Sequence, residues 1–267
     1  MNLQNQVIFI TDADSSSGQV LTNCLARQGA RFILNSVSNG TANREVLEKC
    51  KSAGSNVVLV NVDLCNRSAV LAMLERAAEQ LGTVDVLIHN NNVVQSTRVE
   101  TCDEALFLEL LNVNAKSAFI CTQVVGRQMM AKQRGRIVYV SSIHAEKPTG
   151  SSFAYSVSKG AVKMLNREAA LKFGRYGVNV NAIELGAIEG DDALFRSEIS
   201  TLYDAYQYKV PNAIVGNYDD LAQLVIYLCS DEARFVNGAD IRLDGGFLLH
   251  YMDAKMRRPP SFQGEVL

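Results

Sequence analysis

Short apolar runs rich in β-branched residues alternate along this chain with segments whose apolar residues recur every three to four positions. The runs predict strands, and the spacing between them predicts amphipathic helices. In chain order the predicted strands are VIFI, RFIL, VVLV, VDVLIH, RIVYV, VNVNAI and ADIRL. Right-handed βαβ crossovers then give a doubly wound, Rossmann-type α/β fold: a parallel sheet of about seven strands, helices on both faces in three layers, and a ligand crevice at the strands' carboxyl ends.

Two long helices are predicted in the middle of the chain, from about Asp103 to Gln133 and from about Phe153 to Tyr176. No linker rich in Pro, Gly or Ser interrupts the pattern of strands and helices. We therefore expect one domain over residues 1–267, with a core from about 7 to 246 and a C-terminal tail at 247–267.

Composition narrows the classes of partner. The 267 residues are 48% apolar and 20% charged, which is enough for a full hydrophobic core. A formal net charge of −2 gives no basic face for nucleic acid. No apolar run reaches the ~18 residues that a membrane span needs. We therefore expect small molecules or other subunits as partners, and neither nucleic acid nor a membrane.

Cysteine usage bears on the compartment. The six cysteines form no C-x-x-C pair, and most lie within apolar helical patterns, which is typical of reduced core thiols in a cytoplasmic protein. The N-terminus lacks a basic segment followed by an apolar core, so we expect no secretory signal. The three histidines, His89, His144 and His250, are scattered, and we expect no metal site.

A candidate proton-transfer group lies in the second half of the chain. Tyr155 precedes Lys159 by four residues, so the two side chains share one face of a helix. An ammonium beside a phenol stabilises the phenolate and lowers a Tyr pKa from its ordinary value of about 10. The spacing alone is weak evidence. Its context strengthens it, because the pair opens a helix after a strand that ends in Ser141 and Ser142.

From about Val7 to Gly246 the chain resembles the short-chain dehydrogenase/reductase family. YSVSK is similar to the family's Y-x-x-x-K, and Ser142 and Asn114 are similar to its active-site serine and asparagine. The resemblance implies an oxidoreductase that transfers a hydride between a nicotinamide cofactor and a secondary alcohol or ketone. Tyr155 would be the acid/base, and Lys159 would lower its pKa and hold the nicotinamide ribose. Ser142 would hydrogen-bond the carbonyl oxygen, and Asn114 would hold a water of the proton relay.

A structural alternative treats Tyr155 as a half-buried helix residue and Ser142 as a cap at the end of a strand. The order and spacing of four matching residues favour the catalytic interpretation.

The turn after VIFI departs from the family's T-G-x-x-x-G-x-G. TDADSSSG, from Thr11 to Gly18, has Asp12 and Ser16 where glycines are expected. Glycine permits a positive φ and a close approach to the pyrophosphate. An Asp12 carboxylate ~4 Å from a phosphate charge costs about 1 kcal/mol in water and about 4 kcal/mol at an effective dielectric of 20. The helix N-terminus still attracts anions, and three hydroxyls add donors. We therefore expect a weakened dinucleotide site formed by Thr11, Asp12, Ser15, Ser16, Ser17 and Gly18.

By resemblance, further cofactor contacts follow the ends of the other strands: Ser36, Asp63, Leu64, Asn90, Asn91, Gly186 and Ile188. Asp63 would touch the adenine edge, although a helix N-cap is an open alternative. HNNN, ending at Asn92, stands where the family has N-N-A-G, which adds bulk behind the ribose and nicotinamide. Leu185 replaces a proline, and Gly190 falls where a threonine usually meets the carboxamide.

Neither usual signal of cofactor preference is present. An acidic residue at the end of the second strand binds the NAD ribose, and a basic one just after it holds the NADP phosphate. This chain has Ser36 and Val37 there. Asp12 and Asp14 would repel an additional phosphate, so the sequence favours NAD slightly over NADP. Arg44 offsets this if it folds back, and a solvated helix face is its alternative place.

The substrate signals lie after the sixth strand. The region from about 187 to 216 resembles the family's variable lid, in which Phe195 and Tyr203 either line an apolar pocket or pack the lid onto the body. His144 either contacts substrate or lies in a surface loop. No charged cluster marks phosphate or carboxylate recognition, so a neutral alcohol or ketone with apolar parts is favoured.

Two functions and several assemblies remain open. The first function is an active oxidoreductase, and the second is a cofactor-poor binding or regulatory subunit. The intact proton-handling residues support the first, and the altered glycine turn supports the second. The resemblance implies a homotetramer or homodimer formed through the runs around Phe119 to Val125 and Val162 to Leu171. The tail contains Pro259-Pro260 and so is not one continuous helix.

Overall fold

The seven predicted strands pair into one parallel sheet in the computed structural model, which describes residues 3–189, 210–212 and 214–249. The strands are β1 (Val7–Ile10), β2 (Arg31–Asn35), β3 (Val57–Val60), β4 (Val86–His89), β5 (Gly135–Ser142), β6 (Val178–Leu185) and β7 (Asp240–Leu243). Their order across the sheet is β3-β2-β1-β4-β5-β6-β7. This confirms the doubly wound fold. The order reverses between β1 and β4, and ligands of such sheets bind in the crevice at this switch point.

Helices cover both faces of the sheet in the described part of the chain: α1 (Ser16–Ala26), α2 (Arg44–Ser52), α3 (Arg67–Leu81), α4 (Glu104–Leu111), α5 (Ser117–Ala131), α6 (Phe153–Phe173) and α7 (Tyr218–Cys229). Successive residues of a strand point to opposite faces. Ile8 and Ile10 accordingly pack with α1, α2 and α7. Val7 and Phe9 pack with α3, α5 and α6 on the other face.

The predicted helix from Asp103 to Gln133 is confirmed, with one irregular turn inside it. The Asp103 side chain caps α4 by accepting the N–H groups of Ala105 and Leu106. A π-helical turn, Asn112–Lys116, joins α4 to α5. Such turns often occur at functional sites, and this one contains Asn114.

The helix α7 was missing from the sequence prediction. Asn217 accepts the N–H of Asp220 at 3.0 Å, and the Asp220 carboxylate accepts the N–H of Asn217 at 2.9 Å. This is a capping box, and the apolar segment LAQLVIYLC follows it. The N-x-x-D pattern before an apolar run was therefore the available signal.

All six cysteines are free, and four of them are buried: Cys24, Cys50, Cys121 and Cys229. Burial raises the pKa of the Cys50 thiol to about 11 and that of Cys229 to about 12, so both stay protonated at neutral pH. Within the described ranges no three His, Cys, Asp or Glu side chains are grouped to hold a metal ion. No helix in those ranges combines the length and apolar character needed to cross a bilayer.

Candidate active site

The turn between β1 and α1 lies at the switch point and keeps one glycine for a steric reason. A Cβ on Gly18 would lie 2.0 Å from the carbonyl oxygen of Asp12. Asp12 and Ser16 have negative φ values. The described non-glycine residues with positive φ are elsewhere: Asn5, Asn39 and Gln133. Of the two reasons for glycine at these positions, a positive φ therefore does not apply to this turn, and the close approach of a ligand is the remaining one.

The N-terminus of α1 has free N–H groups, and the Asp12 carboxylate lies beside them and accepts a hydrogen bond from the same turn. Among the described residues, the N–H groups of Ser16 and Ser17 have no acceptor, as expected for the first turn of a helix. The Asp12 carboxylate accepts the N–H of Ser15 at 3.2 Å, so it already occupies one donor of this turn. Burial raises the pKa of the Asp12 carboxyl against the lowering effect of that N–H, and the charge of Asp14 adds to the rise.

Asn90, at the end of β4, holds the turn from behind. Its Nδ2 donates to the Asp12 carbonyl at 2.7 Å and lies 3.2 Å from the hydroxyls of Ser15 and Ser17. Its Oδ1 accepts the Asp12 N–H at 2.9 Å, and its own N–H donates to Thr11 Oγ1 at 3.0 Å. Thr11 and Asn90 were predicted to contact the cofactor. Both are buried, and their side chains shape the turn.

Ser36, at the end of β2, is buried and its hydroxyl is already used. Ser36 Oγ donates to Asp14 Oδ1 at 2.7 Å. The same carboxylate accepts hydrogen bonds from Ser38 and Asn43. Sequence reasoning named Asp14 only as a repelling charge and missed Ser38 and Asn43, because the partners lie 22 to 29 positions apart.

Asp63 and Leu64 follow β3. The Asp63 carboxylate is exposed and accepts the N–H of Cys65 at 2.8 Å. The N-cap of α3 is Asn66, whose side chain accepts the N–H of Ala69, so the N-cap alternative for Asp63 is wrong. The Leu64 side chain is buried in the core.

Tyr155 and Lys159 lie in the first turns of α6, and both are buried. The Tyr155 hydroxyl donates to Asn92 Oδ1 at 2.8 Å. Lys159 Nζ lies 5.6 Å from the centre of the Tyr155 ring and donates to the carbonyls of Asn91 and Val140 at 3.2 and 3.4 Å. Burial lowers the pKa of Lys159 to about 7. The ammonium therefore titrates near neutrality.

Ser142 ends β5 beside His144. Ser142 Oγ and His144 Nδ1 are 3.0 Å apart, and the His144 ring meets the Tyr155 ring edge to face with centroids 5.3 Å apart. Only 2% of His144 is exposed, so the surface-loop alternative is wrong. Burial, with the nearby charge of Lys159, lowers the pKa of His144 to about 4, and its ring is neutral at pH 7.

Asn114 uses its amide to hold the loop after β4. Its Oδ1 accepts the N–H of Val93 at 2.8 Å, and its Nδ2 donates to the Val93 carbonyl at 2.9 Å and to Ser158 Oγ at 3.0 Å. Because this amide is committed to Val93 and Ser158, a relay water would bind the main chain of Asn114. That water stays a prediction.

The space between these residues is small. A cavity of about 30 Å³ is lined by residues that include Asn92, Ser142, Tyr155 and Gly186. It has room for a water but not for a nicotinamide ring, and the Asn92 side chain is part of its lining. Sequence reasoning noted the bulk of Asn92 but not its bond to Tyr155.

Three further residues were predicted to contact the cofactor: Asn91, Gly186 and Ile188. Asn91 Oδ1 is buried and has no hydrogen-bond partner among the described residues. Gly186 donates to the Leu243 carbonyl at 2.9 Å, and the buried Ile188 bridges to Gly216. Several predictions lie outside the described residues: Phe195, Tyr203, Gly190 and the tail from 250 onward.

Comparison with known proteins agrees with this geometry. A family model described as enoyl-(acyl carrier protein) reductase matches residues 13–248. The chain is 28% identical to 2-dehydro-3-deoxy-D-gluconate 5-dehydrogenase of Pseudoalteromonas atlantica, covering 92% of this chain and 97% of the relative. It is 29% identical to 7alpha-hydroxysteroid dehydrogenase of Clostridium sardiniense, covering 92% and 95%. The crystal structure of acetoin dehydrogenase from Enterobacter cloacae superposes with a TM-score of 0.82 at 25% identity, covering 95% of this chain and 100% of that one.

Proposed function

Because the chain belongs to the short-chain dehydrogenase/reductase family and is an oxidoreductase, we propose that Tyr155 is the acid/base for hydride transfer between a nicotinamide dinucleotide and a secondary alcohol or ketone. One observation carries this proposal. Tyr155, Lys159 and Ser142 meet at the carboxyl end of β5, in the crevice that a doubly wound sheet offers to a dinucleotide.

The residues present fit such a cofactor. The free N–H groups of Ser16 and Ser17 would hold the pyrophosphate at the positive end of α1. Asp63 and the main chain of Leu64 would flank the adenine, while Lys159 and the unpartnered Oδ1 of Asn91 would hold the nicotinamide ribose. Gly186 and Ile188 would lie beside the carboxamide. When bound, the nicotinamide supplies or accepts the hydride.

The chain's own residues handle the proton. Tyr155 would give its hydroxyl proton to the substrate oxygen in reduction and take it back in oxidation. Lys159, 5.6 Å from the phenol ring, would stabilise the phenolate when charged. Neutral His144 in the tautomer with a proton on Nδ1 would donate to Ser142 Oγ. The single proton of Ser142 is then free to point at the substrate oxygen.

The substrate that fits best is a neutral alcohol or ketone with apolar parts. An apolar cluster containing Leu110, Ala154 and Tyr155 is joined by the partly buried Val93, Val94 and Phe153. The relatives are named for a deoxygluconate, which is an anion, and for a hydroxysteroid and acetoin, which are neutral, so the choice of a neutral substrate rests on the apolar cluster. His144, beside Tyr155, would touch the substrate, with Phe195 and Tyr203 as candidate lid residues.

Restoring the two glycines should tighten cofactor binding. Asp12→Gly with Ser16→Gly removes a carboxylate near the pyrophosphate and frees the N–H of Ser15. We expect the wild type to bind NADH in a titration followed by nicotinamide fluorescence. We expect the double variant to bind it with a Kd about tenfold to a hundredfold lower, or about 1 to 3 kcal/mol. The turnover at saturating cofactor should change much less, because the proton-handling residues are untouched.

The opposite result is equally informative. Weaker binding by the double variant would mean that Asp12 and Ser16 are working ligands of a rebuilt turn. A wild type that binds neither NADH nor NADPH at millimolar concentration would contradict the oxidoreductase proposal and favour a cofactor-poor binding subunit.

We also infer that the protein forms a homodimer, or a homotetramer of two dimers, through α5 and α6. Val157, Met164 and Leu171 recur every seven residues along α6 and are 39%, 54% and 78% exposed. Phe119 of α5 is 49% exposed, and a groove of about 490 Å³ lies between the two helices. Val125 and Val162, from the predicted runs, instead face the core. An apolar stripe of this kind is typical of a subunit interface.

Charges in that stripe should separate the subunits. We expect the wild type to scatter light as a dimer or tetramer at micromolar concentration and Met164→Glu with Leu171→Glu to scatter as a monomer. Leu71→Glu, an exposed leucine on α3, is the matched control and should keep the wild-type mass. A monomeric wild type would rule out this interface.

We place the protein in the cytoplasm, because its six free thiols suit a reducing compartment. For the cofactor we favour NAD over NADP. Asp14 puts a carboxylate beside the end of β2, where Ser36 and Val37 offer no cation. Arg44, which begins α2, is exposed to solvent, as its alternative placement predicted.

A further inference from the structure

The end of β2 contains a pocket of hydrogen-bond donors that is filled by a carboxylate of the chain itself. Asp14 Oδ1 accepts from Ser36 Oγ at 2.7 Å, from Ser38 Oγ at 3.0 Å and from Asn43 Nδ2 at 2.6 Å. Asp14 Oδ2 accepts the N–H of Ser38 at 2.8 Å. Four donors from the segment 36–43 therefore converge on one anion, which comes from the turn after β1.

The surrounding backbone fixes the direction of these donors. Ser36 Oγ accepts the N–H of Gly40 at 2.8 Å, and Ser38 Oγ accepts the N–H of Ala42 at 3.1 Å. Because each hydroxyl accepts one of these N–H groups, the single protons of Ser36 Oγ and Ser38 Oγ point at the Asp14 carboxylate. The pocket is thus built to bind a negative group, and no lysine or arginine contributes to the four bonds.

The pocket lies at the end of β2, where doubly wound folds bind the adenosine ribose of a dinucleotide. In doubly wound folds the residue at the end of the second strand meets the adenosine ribose and distinguishes a 2′-hydroxyl from a 2′-phosphate. That residue here is Ser36, whose proton is held by Asp14. The discriminating charge is therefore carried by the first turn instead of by β2.

We propose that Asp14 sets the cofactor preference of this protein. Its carboxylate occupies the donors that would otherwise hold a 2′-phosphate, and it repels that phosphate directly. Oδ1 already accepts three hydrogen bonds, whereas Oδ2 accepts one and keeps a lone pair for a ribose 2′-hydroxyl. This inference rests on the proposed oxidoreductase function, because it requires a dinucleotide in the crevice.

Removal of Asp14 should turn the pocket into a phosphate site. The hydroxyls of Ser36 and Ser38, the N–H of Ser38 and the amide of Asn43 would lose their anion. They lie just before α2, whose N-terminus attracts negative charge and whose first residue is the exposed Arg44. These are the donor types that bind a phosphate monoester.

The test is a pair of titrations with NADH and NADPH, followed by nicotinamide fluorescence. We expect the wild type to bind NADH at least tenfold more tightly than NADPH. Asp14→Ser should lower the Kd for NADPH by tenfold or more and raise the Kd for NADH by a few fold. The matched control is Asp12→Asn, which removes an equal charge from the same turn but outside the pocket, and should change both Kd values by a similar factor.

Asp14→Asn is the second variant, because it keeps the size of the side chain if Asp14→Ser fails to fold. It should shift the Kd ratio in the same direction by a smaller factor. An unchanged ratio in both variants, a shift as large in Asp12→Asn, or a wild type that prefers NADPH would overturn the role of Asp14. A wild type that binds neither dinucleotide would overturn the proposed function itself, which separates the two failures.

Discussion

Tyr155→Phe is expected to lower kcat by about 10²-fold to 10⁴-fold, the range that general acid/base groups supply. The substitution removes one hydroxyl, whose described partner is Asn92 Oδ1, and keeps the buried ring. The cofactor Kd and the midpoint of thermal unfolding should therefore stay close to those of the wild type. Turnover of NADH with a panel of neutral ketones, measured across pH, checks this result.

A second buried tyrosine provides the control. Tyr139 of β5 shares a hydrogen bond of 2.6 Å with Thr122 in the core. Tyr139→Phe should reduce the free energy of unfolding by about 0.5 to 1.5 kcal/mol and leave kcat nearly unchanged. Substantial turnover by Tyr155→Phe at any pH would remove Tyr155 from the acid/base role.

Lys159→Met is expected to lower kcat/KM by about tenfold to a hundredfold or more, because a buried hydrogen bond to a charged group contributes about 1.5 to 3 kcal/mol. It should also change the pH dependence of cofactor binding. Burial lowers the pKa of Lys159 to about 7 in the free protein. On the proposed function, a dinucleotide whose ribose is held by Lys159 would favour the ammonium. Below pH 7 the ammonium is already charged and affinity is flat. Above pH 7 binding must take up a proton, so affinity falls by up to about tenfold per pH unit.

The variant should lose this dependence and bind NADH with nearly the same Kd from pH 6 to pH 8.5. Lys172→Met, an exposed lysine on the same helix, should keep the wild-type profile. If the profile persisted in Lys159→Met, another group would have to carry it. In the wild type, burial and the nearby charge of Lys159 lower the pKa of His144 to about 4, below this range of pH.

The parts of the molecule that could be predicted from the sequence are those encoded locally. Each strand is a short apolar run, and the four-residue spacing of Tyr155 and Lys159 is itself a helical property. The hydrogen bonds that shape the site, in contrast, join residues that are far apart in the sequence. Asn92 and Tyr155 are 63 positions apart, and Asp14 meets Asn43 across 29 positions. Such bonds depend on how two loops approach at the edge of the sheet, which no local pattern encodes.

The hydrogen-bond partners of three predicted contact residues follow the same rule. Thr11, Ser36 and Asn90 lie where cofactor contacts were expected, yet their polar atoms are used by neighbouring loops. Position along the chain predicted their place in the crevice. It did not predict their partners, because a short polar side chain binds whichever group comes closest once the loops are folded.

The way Asn90 holds the first turn has a consequence for how such a protein changes over many generations. Its single amide bonds both main-chain groups of Asp12 and reaches the hydroxyls of Ser15 and Ser17, so the shape of the turn is enforced from the neighbouring strand. Apart from the hydrogen bond from the Ser15 N–H to the Asp12 carboxylate, the side chains at positions 12 and 16 then contribute little to the shape of the turn. Substitutions at these two positions would change the surface at the N-terminus of α1 while Asn90 keeps the backbone of the turn in place.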